Sequence, residues 1–224
     1  MTLRERRDYI NNFFKETAGD SRKETTKEAK EVVKLLKLKE INDERLSAIV
    51  PEWGKINSES GYQHNGVLLG NHIKDAVVAL HALTEYQQLD SKGQELATLA
   101  TLFHDISKPT GNDDELVTRD FDHEITSAQV AATYMTKWGY SRKDISTVIE
   151  AILYDGVVSD IARGKVRDQS KNITPEQLRK KLTDPRTIRV LKVLNQADVL
   201  ATVGVNGFDA IKKSYNDFFD MVSK

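Results

Sequence analysis

The amino-acid sequence predicts an all-α protein. Only four prolines (Pro51, Pro109, Pro175 and Pro185) occur in 224 residues, so little interrupts a helix. Long stretches repeat apolar residues at three- and four-residue intervals among charged ones, the period of an amphipathic helix. Several of these stretches also begin at a residue suited to a helix start, among them Asn42, Ser91, Ser141, Thr174 and Asp184.

In chain order, residues 3–17 form a polar amphipathic run ending near Ala18-Gly19. Residues 25–38 place Ala29, Val32, Val33, Leu35, Leu36 and Leu38 on one broad face, as an amphipathic helix does. A short run at 42–49 is capped by Asn42-Asp43 and leads to Pro51. Residues 51–69 mix Pro, Gly, Ser and Asn with aromatics and predict a structured loop. Residues 70–88 return to helical period through Ile73, Val77, Leu80 and Leu83. The next helix opens at Ser91, with Glu95 one residue past capping-box spacing. It runs through Leu96, Leu99, Ala100 and Phe103 to His104-Asp105, and Pro109 and Gly111 end it. Residues 110–121 are polar and acidic and predict a loop over a site. Helices follow over 122–138, stopped by Gly139, and over 141–154, stopped by Gly156. Residues 156–172 are basic and irregular. Thr174-Pro175-Glu176 starts a helix with proline at its first position. Asp184-Pro185 starts another through Ile188, Leu191, Leu194 and Asp198, and a last helix covers about 206–222. Residues 1–50 are expected to form an N-terminal helical extension packed on a main domain of residues 51–224.

Composition narrows the function. Acidic residues (34) balance basic ones (33), so no global field draws the chain to nucleic acid or a membrane. There is no cysteine, which removes disulfides, thiolate nucleophiles and Cys-zinc sites, and leaves nitrogen and oxygen ligands for any metal. Met1 to Arg7 is charged and lacks the apolar core of a signal peptide. No run is long enough to cross a bilayer. The expectation is a soluble, cytoplasmic protein with no membrane partner.

All five histidines (His64, His72, His81, His104 and His123) lie between residues 64 and 123. His72 and His81 are nine positions apart, on opposite faces of one helix, so they do not share a ligand. His81 reads as structural. His104 and Asp105 stand side by side where a helix is about to end, and a terminus lets both side chains turn to one ion. Alone, the pair is equally a buried histidine and a last-turn aspartate. An aspartate there opposes the helix dipole and calls for a nearby cation. Asp198 is embedded in an apolar segment, where an unpaired carboxylate is costly. A metal satisfies it, and so does an arginine such as Arg186 or Arg189.

The order His72, His104-Asp105, Asp198 resembles the H…HD…D pattern of the HD superfamily of metal-dependent phosphohydrolases. Leu96–Pro109 is similar to the signature helix of the HD domain of bacterial CCA-adding enzymes, and Asp122–Ala128 to the helix that follows it. The resemblance covers residues 60–201. It implies an HD-domain helical bundle in which His72, His104, Asp105 and Asp198 hold a divalent metal ion (Mn, Fe, Co, Ni, Zn or Mg). Catalytic roles fall to Asp105, Lys108 and His123, and phosphate contacts to Lys74, Lys108, Arg119 and His123. His64 is a further candidate for the pocket lining. The chain departs from the pattern at Ser107, where glycine is usual, and at Tyr154-Asp155, where some relatives carry a histidine for a second metal. Lys108 stands where 5′-deoxynucleotidases are expected to carry glutamate, and these 224 residues show no nucleotidyltransferase pattern.

The resemblance implies hydrolysis of a nucleotide phosphoester. A 5′-nucleotidase on nucleoside or deoxynucleoside monophosphates is the first expectation. A cyclic-nucleotide (2′,3′- or 3′,5′-) phosphodiesterase and a dNTP triphosphohydrolase follow. The expected partner is a small nucleotide. A non-catalytic nucleotide- or RNA-binding module is the reading from another class. The basic residues between Arg163 and Arg189 keep nucleic-acid binding open without favouring it.

Overall fold

The computed structural model describes residues 8, 12, 24–37, 40–57, 63–64, 67–108, 123–162 and 174–222. Among them the structure is almost wholly helical, as the periodicity predicts. The run at 3–17 and the loop at 110–121 lie outside the described residues, apart from Asp8 and Asn12.

Helix α1 (Lys27–Leu36) is capped by the Thr26 hydroxyl, which accepts from Ala29 N, and buries Ala29, Val32, Val33, Leu35 and Leu36. Asn42 caps α2 (Asp43–Ile49) by accepting from Arg45 N at 2.9 Å. Helix α3 (Pro51–Ile56) corrects the expected loop. Pro51 sits in the first turn, where its missing N–H is not needed, so it starts a helix instead of ending one. Two two-residue strands follow, β1 (Gln63–His64) and β2 (Val67–Leu68), antiparallel with His64 opposite Val67.

Helix α4 (Leu69–Ala82) is shorter than the expected 70–88. Leu83 takes an extended conformation and separates it from α5 (Thr84–Gln87). Helix α6 (Ser91–Phe103) begins where expected, but its cap is Asp90, whose carboxylate accepts from Gly93 N at 2.6 Å. Helix α7 (His123–Lys137) ends at Gly139, whose φ of 80° is open to glycine. Ser141 caps α8 (Arg142–Ala162) by accepting from Asp144 N. That helix runs straight through the expected stop at Gly156. A Cβ at Gly156 would lie 2.4 Å from Glu124 Oε1, so this glycine serves close approach of α7 to α8, not termination. Helix α9 (Pro175–Arg179) opens with a full capping box between Thr174 and Gln177.

Helical backbone then covers Pro185–Val222 (α10), broken at Gly204 with φ 69° and ψ 179°. The Tyr215 hydroxyl donates to the Lys192 carbonyl, and Lys192 Nζ lies 6.0 Å from the centre of the Phe219 ring. The second half therefore folds back on the first, which matches separate helices near 185–198 and 206–222.

Helix α10 packs on α4, α6 and α8, and α8 packs on α6 and α7. Their shared core contains Leu99, Phe103, Ile152, Leu191 and Leu194, all fully buried. Residues 24–37 and 40–57 join the same core. Thr26 N donates to the Trp138 carbonyl at 2.9 Å, and the Tyr134 hydroxyl donates to Glu52 Oε2 at 2.7 Å. No helix of the described residues is long and apolar enough to cross a membrane.

Candidate metal centre

Three helices bring the predicted ligands together. His72 comes from the first turns of α4, His104 and Asp105 from the turn that closes α6, and Asp198 from α10. Helix α6 stops at Phe103, and residues 104–107 form a turn in which Ile106 N bonds to the Phe103 carbonyl. His104 itself keeps helical backbone angles, and the two neighbouring side chains still bring His104 Nε2 and Asp105 Oδ2 to 3.5 Å. His72, His104 and Asp105 are buried.

His72 Nε2 lies 3.0 Å from Asp198 Oδ1, and His104 Nε2 lies 3.5 Å from the same oxygen. Asp105 Oδ2 is 3.7 Å from His72 Nε2 and 3.5 Å from His104 Nε2. Ligand atoms of His72, His104 and Asp198 all fall within 4.8 Å of one another. Two ligands about 2.1 Å from one ion stand about 3.0 Å apart at a right angle and about 3.4 Å apart at a tetrahedral angle. The observed separations suit such a set.

The donor chemistry fits a divalent ion as well. His104 Nδ1 lies 2.8 Å from the Thr101 carbonyl, an acceptor, so Nδ1 carries the hydrogen. That leaves the Nε2 lone pair for a metal, the outer contact ligating histidines usually make. His104 Nε2 is buried without a hydrogen bond among the described residues, an expensive state unless something else meets it.

Cations flank the acidic edge. Asp105 Oδ2 takes the Lys108 ammonium, and Asp105 Oδ1 takes His123 Nε2 at 3.1 Å. Burial opposes the charge on Asp105, but Lys108, His104 and His123 together hold its carboxyl well below the usual range. Burial likewise opposes a proton on His104, yet Asp105, Asp198 and Asp155 push its pKa up to about 10. Burial resists the Asp198 charge too, and His104 and His72 overcome it, holding that carboxyl well below its ordinary value. At His123 burial is again outweighed, chiefly by Asp105, and its pKa rises.

Lys74 stands apart from this group. Its ammonium meets Asp43 Oδ2 at 2.7 Å and Asn57 Oδ1 at 3.3 Å, beside the Trp53 ring. Two positions beyond His72 on a helix is most of the way to the opposite face. His81 is also separate, its ring against Tyr86. Arg119 and the His64 side chain lie outside the described residues.

Three other groups near the centre were not picked out as site residues in the sequence. The Thr101 carbonyl is a backbone atom, so no side chain announces it. Asp155 is buried, and Asn195 Nδ2 donates to its carboxylate at 2.9 Å. Burial, with Asp198 nearby, raises its pKa to about 7. Its signal was the one that marks Asp198, a carboxylate in an apolar run. Glu124 is buried too, with Oε2 3.8 Å from His123 Nδ1.

Residues 69–202 match the family described as the HD domain. That span includes His72, His104, Asp105, His123 and Asp198. No curated protein matches the chain.

Proposed function

The chain belongs to the HD domain family, which its match shows over more than half its length, and from that premise we propose that it is a divalent-metal-dependent phosphohydrolase acting on nucleotides. The first assignment is a 5′-nucleotidase on nucleoside or deoxynucleoside monophosphates. The observation that carries the proposal is the convergence of His72, His104 and Asp198 beside an aspartate paired with Lys108 and His123.

His72, His104, Asp105 and Asp198 would hold the ion. Bound there, a divalent cation supplies Lewis acidity and a nucleophile at neutral pH. Thr101 fixes the His104 tautomer through its carbonyl. Asp105 holds Lys108 and His123 at the edge of the centre, where the two cations face an incoming phosphate. Lys108 neutralises phosphate charge. His123, its pKa raised, carries a proton it can give to the leaving oxygen. Lys74 is engaged with Asp43, so the contact proposed for it requires exchange of that pair. Arg119 remains a proposed phosphate contact.

Phosphate release over nucleoside mono-, cyclic and triphosphates, with Mn2+, Co2+, Zn2+ and Mg2+ in turn, tests this reading. A monophosphate should be the best substrate, and chelator should stop turnover. Asp105→Ala should lower turnover at least about 100-fold, the scale on which removing one charged catalytic group acts. Wild-type turnover in Asp105→Ala would refute the site.

A further inference from the structure

A groove of mixed polar and apolar lining, Val130 included, runs along α7 beside the turn that carries Asp105. Thr126, Gln129 and Thr133 line one wall. They stand three, six and ten positions beyond His123, on one face at 3.6 residues per turn. At that stripe's near end His123 reaches Asp105. Ser107, from the turn that carries Asp105 and Lys108, lines the groove too. Glu52, on α3, and Tyr134 form its far part.

Glu52 is held in place. The Tyr134 hydroxyl donates to its Oε2 at 2.7 Å, and the Tyr134 ring stacks on buried Phe103 at 5.8 Å. A carboxylate so fixed still has acceptor capacity for other donors. Among the described residues of the lining, Glu52 is the one that is charged, and none is a lysine or arginine. Such a wall repels further phosphates and favours a neutral group rich in N–H donors. The cations sit at the metal end, the acceptors along the groove.

We propose that this groove is the nucleobase subsite of the centre, and that Glu52 selects bases presenting amino and imino donors, guanine first. Guanine offers neighbouring N1–H and N2–H groups to a carboxylate, whereas uracil offers one N–H between two carbonyls. The proposal rests on the phosphoester reading for the position of the phosphate.

Calorimetry of guanosine and uridine, with steady-state hydrolysis of GMP, UMP and ribose 5-phosphate, tests it in the wild type, Glu52→Gln and Gln129→Ala. Guanosine should bind about tenfold or more tighter than uridine, the scale of a hydrogen bond to a charged acceptor. Glu52→Gln should lose that preference. Gln129→Ala, on an exposed helix face and safe for folding, should weaken binding of guanosine. The KM for GMP should rise in both variants while the KM for ribose 5-phosphate does not, a split that general damage would not give. Equal binding of the two nucleosides, or an unchanged preference in Glu52→Gln, overturns the subsite even if every ester is hydrolysed. A guanosine preference that vanishes in Glu52→Gln, with no ester hydrolysed, upholds the groove and refutes the phosphohydrolase reading.

Discussion

His104 shows how one residue links fold to chemistry. It caps the C-terminus of α6 with its backbone still helical, and the Thr101 carbonyl chooses which nitrogen stays bare. Without an ion, the surrounding carboxylates keep a proton on it, with a pKa of about 10 against an ordinary 6.5. A raised pKa stabilises the fold fully below the unfolded value, near 6.5, and that contribution is lost as pH rises through 10. A metal requires the neutral ring, so it competes with this proton. Mn2+ should therefore raise the melting temperature more at pH 8 than at pH 6, read by thermal unfolding with and without chelator. A metal-induced shift independent of pH would contradict the arrangement around His104. The four candidate ligands are legible in the sequence because each is a polar residue in a distinctive place: a helix end, an apolar run, or a fixed order along the chain. Asp155 shares the apolar-run signal of Asp198 but stands outside the motif order, and Glu124 has no such signal, since a single sequence does not tell a buried carboxylate from a solvated one. Lys74 pairs with Asp43 in the structure, a contact no local pattern marks.

At the scale of the element, the ends decide what the sequence reveals. Thr26, Asn42, Ser141 and Thr174 all cap as their side chains suggest. Glycine is harder to read, because one residue type answers two different needs. Gly156 keeps α8 helical while admitting Glu124, although its sequence context reads as a stop. Gly204 is the turning point of α10, and a Cβ there would meet nothing within 4 Å. Its constraint is backbone alone: φ 69° with ψ 179° belongs to a region essentially reserved for glycine. Gly204→Ala should thus cost about 1–3 kcal/mol by urea unfolding, with metal content unchanged in the fraction that remains folded. A neutral result would mean that the reversal tolerates a different backbone path. Asp198 lies six residues before this turn, so the helical hairpin also anchors one of the candidate ligands.

For the whole molecule, a bundle of helices serves to hold short polar segments from distant parts of the chain at one point. Helix α10 supplies Asp198 and packs on α4 and α6, which supply the histidines. Helix α8 closes the group from behind with Asp155. The all-helical class follows directly from periodicity, and the meeting of residues 72, 104 and 198 follows from motif order; neither reveals how the N-terminal helices attach. That attachment uses long-range contacts such as Asp43–Lys74 and Glu52–Tyr134, whose partners lie 31 and 82 residues apart with no local pattern to mark them. The proposed function depends on a single cation among His72, His104, Asp105 and Asp198. Anomalous diffraction from crystals grown with Mn2+ examines this most directly. The expected result is one strong peak about 2.0–2.3 Å from both imidazole Nε2 atoms and from Asp198. Manganese bound elsewhere, with no peak between those side chains, would contradict it.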